Sequence, residues 1–567
     1  MGQGSGRFSS AFSSYSIALY FTAGLAAGAL ALAVSLLLRL LFIDGLFIPE
    51  LASQTLFSLT PGQIESRAVE TLGPLAKHSA FIGAVIANII VYGLISLLLK
   101  RLLQRSNNPI SSAYISRAIL SSIVAYFVLL VVGAVLLSLA EIEQEAKLNS
   151  IMLLAIYLIP PSIAFGFTLT YFHQLLMPSR TPRTITSESE TVTATSSSGQ
   201  PEIDYRKRLL LRASIASAIA LPVIYFGLGS LLVPRKEVQQ QLSPSLSALL
   251  RSKPTPSEFR DPMLRPLLES EITPTDLFYR IDKNPIVPQV NAQTWSLSVK
   301  GLVENPLTIN YKELRDMPSV EEFATLECVS NKIGGDLIST ALWKGIRLKD
   351  LLDSAHIKPN SKYIVFRCYD GYDVGIPLER AMFEGTILAY DMNNAPLTSE
   401  HGYPVRAIVP GIYGMMNAKW ITQIELVDTV YEGYWQRKGW TNRATYNTHS
   451  FIIIPGNSLV RKRFRDSDSS NITLNGTVPI AGMAFAGDRG IAKVEISIDG
   501  GTTWKNATLK DPLSQYTWVL WNAELDLTRN GKHKIVVRAT DKTGNIQTDT
   551  YTDPFPNGAT GYDMVSV

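Results

Sequence analysis

The residue of this chain best suited to chemistry is a cysteine beside a polar turn. Cys328 lies in the stretch ATLECVSNKIGGD, and the 567 residues contain only one other cysteine, Cys368. Three roles are open: a small buried hydrophobic side chain, a disulfide with Cys368 in an oxidising compartment, or a thiolate ligand of a soft or redox-active metal. Composition alone favours the first two. Two cysteines are too few for a disulfide framework or a cysteine-rich metal site.

A mixed pattern of strands and helices surrounds this cysteine and must position it. The segments WSLSVKGLV, KYIVFRCY and YPVRAIVP are strand-like, whereas YKELRDM and PLERAMF are typical of short helices. Glycine and proline turns separate these segments. The pattern predicts an α+β domain over residues 274–450.

The C-terminal segment is predicted to be entirely β. After about Phe451, segments such as AKVEISIDGGTTW and KHKIVVRATD alternate apolar and polar residues at period two. Asp499-Gly500 is a tight hairpin signal. These features predict a β-sandwich over residues 451–567, with no cysteine to form an inter-sheet disulfide.

The N-terminal 235 residues are strongly apolar, in contrast to the rest of the chain. A helix that crosses a bilayer needs about 20 mostly apolar residues. Five runs reach that length, at residues 16–43, 79–99, 118–139, 151–177 and 209–233. We therefore expect an all-α, five-helix transmembrane domain over residues 1–235, with a kink at Pro160-Pro161.

Charged residues in the loops between these runs predict an orientation. Lys and Arg are concentrated after the second and fourth runs, whereas acidic residues prevail after the first and third. By the positive-inside rule, the N-terminus is cytoplasmic and everything beyond Val233 is outside. His78 and His173 fall at opposite ends of their spans, so no paired haem site is evident. We expect the bundle to act as an anchor or a docking unit.

Polar segments connect these domains. Residues 181–200, rich in Ser and Thr, form a predicted cytoplasmic linker, and residues 236–273 form a second linker. Lys207-Arg208, before the fifth run, is either a positive-inside anchor or a twin-arginine-like export signal for a domain that is exported folded. A net charge of +4, without a basic patch interleaved with aromatic residues, gives no sign of nucleic-acid binding.

Six motifs follow one another between residues 278 and 440. They are FYRIDKNPIVP, TLECVSN with a following WKGIRLKDLL, YIVFRCYDGY, LAYDMNNAPLTSEHGYPVRAIVPGIYG, AKW and YWQRKGW. In order and spacing they resemble the molybdopterin domain of the sulfite oxidase family. The β-rich tail with SIDGGTTW resembles the immunoglobulin-like dimerisation domain of the same family. The resemblance covers about half of the chain.

The resemblance implies a molybdenum–molybdopterin cofactor and the residues that hold it. Cys328 matches the cysteine that binds molybdenum, and Cys368 then lines the site instead of pairing with Cys328. Hydrogen-bond donors and cations suit the pterin and its phosphate. The implied catalytic residues are Cys328 and Arg280, and the implied cofactor contacts are Tyr279, Arg280, Cys328, Cys368, His401, Arg406, Asn417 and Lys419.

The sequence departs from the sulfite-oxidising members of the family at positions expected near the substrate. Lys332-Ile333 replaces their paired arginines, Met416-Asn417 replaces Arg-His before the KW pair, and Trp440 stands where they carry a tyrosine. A sulfite dianion needs cations in its pocket. These changes therefore weaken the case for sulfite as the substrate, whereas the class of chemistry is retained.

We expect a membrane-anchored molybdenum oxidoreductase that transfers an oxygen atom to or from a small sulfur- or nitrogen-containing substrate outside the cytoplasm. Arg280 and Lys332 would orient an anionic substrate, a separate carrier would exchange electrons, and the sandwich would form a homodimer. Other functions remain open: an S-oxide or N-oxide reductase of the same fold, a cofactor-free surface binding module, and a transporter or sensor. The last is disfavoured because the apolar runs contain no cluster of charged residues.

Overall fold

The chain forms two compact units. The computed structural model describes residues 5–42, 46–72, 75–104, 111–139, 144–176, 256–283, 287–454, 477–526 and 533–566. The first unit contains the described parts of 1–60 and 68–236, and the second those of 61–67 and 237–567. The predicted fifth span at 209–233, the linker over 181–200 and Lys207-Arg208 lie outside the described residues.

The N-terminal half is helical where it is described. Its helices are α1 (Ser5–Leu41), α2 (Ile48–Leu59), α3 (Gly62–Leu72), α4 (Leu75–Gln104), α5 (Ser111–Leu139), α6 (Gln144–Tyr157) and α7 (Ile159–Leu176).

Within the described residues, four helical segments are long and apolar enough to cross a membrane: Ile17–Arg39, Ser79–Lys100, Tyr114–Leu139 and Ser150–His173. They overlap the first four predicted spans. The last segment is broken between α6 and α7, directly before Pro160-Pro161, because proline removes a backbone donor and its ring crowds the preceding turn. A helical region suited to a membrane is thereby confirmed, and the count of five spans stays a prediction.

Small residues bring α1 close to α4. Gly24 and Gly28 lie one turn apart on α1, and a Cβ at either position would come within 2.5 Å of the Cβ of Ser96 or Tyr92, respectively. Ser96 Oγ donates a hydrogen bond of 2.7 Å to the Tyr20 carbonyl of α1. Close approach through glycine is a common way for membrane helices to associate.

The second unit contains short helices and many strands. The helices are α8 (Arg265–Glu269), α9 (Tyr311–Asp316), α10 (Leu348–Ala355), α11 (Leu378–Ala381) and α12 (Tyr434–Arg437). The strands are β1 (Ser296–Gly301), β2 (Leu307–Asn310), β3 (Ser319–Glu327), β4 (Ile338–Arg347), β5 (Tyr363–Cys368), β6 (Asp373–Pro377), β7 (Ile387–Met392), β8 (Ala395–Pro396), β9 (Arg406–Ile408), β10 (Ile421–Val427), β11 (His449–Ile454), β12 (Thr477–Phe485), β13 (Ile491–Ser497), β14 (Lys505–Asn506), β15 (Thr508–Leu509), β16 (Val519–Asp526), β17 (Lys534–Asp541) and β18 (Asp563–Ser566).

Two sheets form the part of this unit that carries the predicted site. One has the strand order β2-β1-β10-β5-β6, in which β1 and β10 run parallel. The other has the order β3-β4-β7-β8, with β9 paired to β7. The antiparallel register of β3 and β4 ends at the pair Glu327 and Ile338, so the loop that begins with Cys328 projects from the end of a hairpin.

Two further sheets form the C-terminal part. Their orders are β11-β12-β16-β15 and β14-β13-β17-β18. Both contribute to one buried cluster, with Ile480 and Trp521 from the first sheet and Val494 and Ile535 from the second. Sheets that bury their inner faces against each other form a sandwich. The immunoglobulin-like assignment of this sandwich stays a prediction.

Residues 61–67 belong to the second unit. Glu65 forms an ion pair with Lys438, with 2.6 Å between Oε2 and Nζ, and both side chains are less than a tenth exposed. Lys438 also packs over the Tyr434 ring, 4.6 Å from its centroid. A buried ion pair is strongly destabilising to break from one side only, so this contact fixes the start of α3 within the second unit.

Candidate active site

Cys328 sits at the start of the loop that leaves β3. Its side chain is 8% exposed, and its Sγ lies 3.0 Å from Ser330 Oγ. Neither cysteine of the chain is in a disulfide, so Cys328 and Cys368 are not paired with each other. A buried thiol that faces a hydroxyl is a polar site and not merely a small apolar filler.

Hydrogen bonds close the loop that carries Cys328. The Cys328 N–H donates to the Leu337 carbonyl at 2.9 Å, and the Asn331 N–H donates to the Cys328 carbonyl at 2.9 Å. The Asn331 side chain accepts from Leu337 N–H at 3.0 Å and donates to Glu327 Oε1 at 2.9 Å. The backbone around the thiol is therefore fixed from both ends of the loop.

A buried acid directly precedes the thiol. Glu327 is 5% exposed, and its Oε1 lies 3.4 Å from His449 Nε2. The Glu327 N–H donates to Tyr446 Oη at 3.3 Å. Burial raises the pKa of Glu327, while His449 and the hydrogen bond from Asn331 act in the opposite direction.

Tyr279 and Arg280 approach from the segment before β1. The Tyr279 N–H donates to Ser339 Oγ at 3.1 Å, and Tyr279 Oη reaches Gly414, where any Cβ would collide with it and lie 3.1 Å from the Glu327 carbonyl oxygen. A side chain at Gly414 would thus separate Tyr279 from the Cys328 hairpin. Arg280 Nε pairs with Asp282 at 3.2 Å, and its side chain is 47% exposed.

Arg406 supplies a buried positive charge. The residue is 5% exposed, and its guanidinium lies 4.9 Å from the Trp343 ring centroid. It donates to the carbonyls of His401 at 3.2 Å and Asn417 at 3.4 Å. Among the described residues, its Nε has no hydrogen-bond partner and no carboxylate forms an ion pair with it. Burial lowers the pKa of Arg406 to about 10.

His401 and Asn417 make contacts within the protein. His401 Nε2 lies 2.8 Å from the Thr275 carbonyl, which only accepts, so this nitrogen carries the proton. Burial, with smaller contributions from Lys419 and Arg406, lowers the pKa of His401 to about 3 and keeps it neutral. The Asn417 side chain accepts from Val409 N–H at 2.6 Å and donates to carbonyls of its own loop. The Asn417 amide thus holds its own loop, while the Asn417 carbonyl accepts from Arg406.

Lys419 lies just before β10, and Cys368 is the last residue of β5, which pairs with β10. Lys419 forms an ion pair with Asp282, which Arg280 shares, and donates to the Glu400 carbonyl at 3.0 Å. Burial lowers the pKa of Lys419, and Asp282 opposes that change. Cys368 is opposite Ile421 in the β5–β10 pairing. Burial and Asp370 raise the pKa of its thiol, which keeps it protonated.

The predicted residues thus form two groups. Arg280, Arg406, His401, Asn417 and Lys419 are linked through Asp282 and shared backbone contacts. Tyr279 approaches the Cys328 hairpin at Gly414. The sequence analysis did not predict four of these residues, namely Glu327, Tyr446, His449 and Asp282. The position of Glu327 directly before a candidate ligand was the one signal available for it. No local signal exists for the other three.

The arrangement suits an anionic, metal-bearing cofactor. The buried guanidinium of Arg406 with its unpartnered Nε matches a negatively charged group such as a phosphate. Within the described residues, no cluster of three or more His, Cys, Asp or Glu side chains could hold a metal ion. The molybdopterin that the resemblance implies would supply further ligands to a metal bound by Cys328 through its dithiolene.

Comparison with known protein families supports this fit. Residues 284–435 match the model of the oxidoreductase molybdopterin binding domain. Residues 443–553 match the model of the Mo-co oxidoreductase dimerisation domain. Cys328, Arg406 and Lys419 lie inside the first match, and His449 lies inside the second.

Curated relatives agree. The chain is 30% identical over 320 residues to the mitochondrial sulfite oxidase of Mus musculus, covering 50% of this chain and 58% of that protein. It is 28% identical over 339 residues to the sulfite oxidase of Arabidopsis thaliana, covering 51% and 85%. It is 28% identical over 363 residues to a nitrate reductase (NADH) of Hordeum vulgare, covering 54% and 39%. The chain thus spans little more than half the length of the mammalian relative.

The two matches follow one another along the chain, with the molybdopterin domain first and the dimerisation domain second. The buried Cys328 thiol and the buried Arg406 guanidinium both lie within the first match. The chain therefore has a molybdopterin-binding oxidoreductase domain followed by a Mo-co dimerisation domain, and over about half of its length it is similar to sulfite oxidases.

Proposed function

We propose that this protein is a membrane-anchored molybdenum enzyme that transfers an oxygen atom to or from a small sulfur- or nitrogen-containing substrate at an extracytoplasmic site. The observation that carries the proposal is the buried Cys328 thiol, which is not in a disulfide and lies in a molybdopterin-binding domain. When bound, the cofactor supplies the two-electron redox chemistry, and the protein supplies binding and electrostatics.

The residues divide into those that hold the cofactor and those that face the substrate. Cys328 would bind the molybdenum through Sγ. Arg406 and Lys419 would balance the negative charge of the pterin phosphate, and the carbonyls around His401 and Asn417 fix their positions. Tyr279 and Cys368 would line the pterin side.

Arg280 is suited to the substrate side because its side chain is half-exposed and its ion pair leaves part of the guanidinium available. Its ion pair with Asp282 is made through Nε, so the outer nitrogens of the guanidinium can reach an anion. Lys332, exposed on the Cys328 loop, would add a second cation. An anionic substrate would thus enter over the edge formed by these two residues.

A reductase that acts on an S-oxide or N-oxide is the second candidate. The side chain of Asn417 is used by carbonyls of its own loop, and Lys332-Ile333 provides one cation where paired arginines are expected. The pocket therefore carries less positive charge than a sulfite dianion favours. A neutral oxide would need less charge compensation than sulfite does.

The membrane half is proposed to anchor the enzyme, with domain limits of 1–235, 236–273, 274–450 and 451–567. Glu65 follows the first predicted span and is ion-paired within the second unit. This contact supports a shared side of the membrane for that loop and the redox domain. The predicted orientation puts both outside. A homodimer through the C-terminal sandwich and a separate electron carrier complete the proposal.

The test is made on the full-length protein, purified in detergent from a host that makes the cofactor. We expect about one molybdenum per chain, bound with molybdopterin, and an electron-spin signal on partial reduction. Cys328→Ser should lose the signal and all turnover while the domain stays folded, whereas the effect of Cys368→Ser should be much milder. Wild-type protein without molybdenum from a molybdate-replete host would favour the cofactor-free binding module.

A substrate screen on the same preparation separates the two enzyme candidates. Sulfite is offered with an artificial electron acceptor, and methionine sulfoxide and trimethylamine N-oxide are offered with a reduced viologen dye. Turnover of the oxides alone would support the reductase. Turnover of sulfite alone would support the oxidase and refute the charge argument based on Asn417 and Lys332.

A further inference from the structure

Glu327, the residue before the candidate metal ligand, is contacted by side chains of the dimerisation domain. Glu327 donates its backbone N–H to Tyr446 Oη at 3.3 Å, and its Oε1 lies 3.4 Å from His449 Nε2. Glu327 and His449 are only 5% and 4% exposed. The match to the dimerisation domain begins at residue 443, before the proposed limit at 450, and it includes Tyr446 and His449. Both contacts therefore reach from that domain to the residue next to Cys328.

His449 is itself held in one orientation. Its Nδ1 lies 3.0 Å from the Asn447 carbonyl, which only accepts, so Nδ1 is the donor and Nε2 is turned toward Glu327. The Asn447 amide in turn donates to the carbonyls of Asn557, Gly558 and Ala559, at 3.3, 3.2 and 3.2 Å. The last loop of the chain thereby fixes the imidazole.

The buried pair of Glu327 and His449 is not expected to add much to the overall stability of the fold. Within the described part of the chain, Glu327 Oε2 and His449 Nε2 have no hydrogen-bond partner. Taking charged or polar groups out of water without full compensation is unfavourable, and packed apolar residues often stabilise a protein as well or better. A role in fixing local geometry accounts for the pair better than a contribution to overall stability.

The contact leads directly to the thiol. The same Glu327 Oε1 accepts from Asn331 Nδ2, and Asn331 Oδ1 accepts from Leu337 N–H. The Leu337 carbonyl in turn accepts a hydrogen bond from the Cys328 N–H at 2.9 Å. A shift of Glu327 therefore displaces both ends of the loop that carries the sulfur.

We propose that Glu327 is a positioning residue for Cys328, and that Tyr446 and His449 of the dimerisation domain hold it in place. The dimerisation domain then contributes directly to the geometry of the metal ligand, beyond its part in assembly. The functional consequence rests on the proposed function, since it requires Cys328 to bind molybdenum. The mechanical part, the hold on the Cys328 loop, is independent of any metal.

The test measures how fast the Cys328 thiol reacts in protein without cofactor. Full-length Cys368→Ser protein, made in a host that cannot synthesise molybdopterin, has one thiol to alkylate with iodoacetamide. Tyr446→Phe removes one net hydrogen bond, and His449→Ala removes the close polar contact with Glu327. We expect each variant to raise the alkylation rate by about fivefold through easier local opening. Ser450→Ala is the matched control, because it removes a hydrogen bond to Gln547 from the next residue of β11.

A conservative variant separates positioning from general destabilisation. His449→Gln places a polar amide that can donate to Glu327 Oε1 and should restore most of the slow alkylation. If His449→Ala does not fold, the comparison of His449→Gln with Tyr446→Phe serves in its place. Rates of Tyr446→Phe and His449→Ala within twofold of Ser450→Ala would overturn the proposal.

The loaded protein gives a second readout. In the variants with fast alkylation, molybdenum should be lost faster during dialysis, and the electron-spin signal of the metal should broaden or shift. If the variants alkylate fast but the wild-type protein never binds molybdenum, the contacts that hold Cys328 are supported and the proposed function is rejected. Slow alkylation with normal metal binding would do the reverse.

Discussion

At the scale of single residues, Arg406 combines a full positive charge with nearly complete burial. Its depressed pKa, about 10 against an ordinary 12.5, corresponds to about 3 kcal/mol against the charged form. Because Arg406 is a base, this cost is fully present at neutral pH and is relieved only as the pH rises past 10. An anionic cofactor would offset it. The same charge thus weakens the empty domain and strengthens cofactor binding.

Arg406→Met should therefore act in opposite directions on the two states. In cofactor-free protein we expect the free energy of unfolding to rise by about 1 kcal/mol, because the desolvation cost exceeds two long hydrogen bonds worth about 1 kcal/mol each. Cofactor retention should be lost. All eight tryptophans lie between residues 295 and 521, so urea unfolding followed by tryptophan fluorescence reports only this half of the chain.

Arg367→Met is the control for that measurement. Arg367 forms a partly exposed ion pair with Glu425, and such pairs contribute at most about 1 kcal/mol. This variant should lose a little stability and keep its cofactor. A marked loss of stability in cofactor-free Arg406→Met would show that the guanidinium is a structural group that happens to be buried.

At the scale of elements, local patterns predicted the strands well and the site only in part. Period-two alternation located β13 and β17, because one face of each strand packs on the sandwich core. The contact between Glu327 and His449 joins residues far apart in the chain, so no local pattern could reveal it. Asn417 was assigned to the cofactor by resemblance, and only the fold shows that its amide holds its own loop.

The packing of α1 on α4 gives a prediction at the same scale. Gly24→Leu and Gly28→Leu should each destabilise the membrane unit by about 1–3 kcal/mol, since a side chain must push apart helices that already touch. Unfolding in sodium dodecyl sulfate, followed by far-ultraviolet circular dichroism, measures the change. Gly83→Leu on α4 is the matched control, because nothing lies within 4 Å of a Cβ there. Equal effects at all three positions would point to lipid insertion instead of helix packing.

At the scale of the whole molecule, the side of the membrane decides which substrates and electron carriers the enzyme can meet. The positive-inside pattern over five predicted spans puts the redox half outside, and the loop that carries Glu65 has the same predicted side. The ion pair of Glu65 with Lys438 requires these two segments to share a compartment, whichever it is. The predicted odd number of spans keeps the loop and the redox half on the same side.

Labelling of introduced cysteines in intact cells tests this orientation. Val430→Cys replaces a side chain that is 61% exposed in the redox half, and it should react with a membrane-impermeant maleimide. Ser197→Cys, in the predicted cytoplasmic linker, should react only after lysis. Wild-type protein is the blank, since both native thiols are buried; keeping them avoids disturbing cofactor loading before export. Labelling of Ser197→Cys but not Val430→Cys in intact cells would reverse the topology and move the substrate into the cytoplasm.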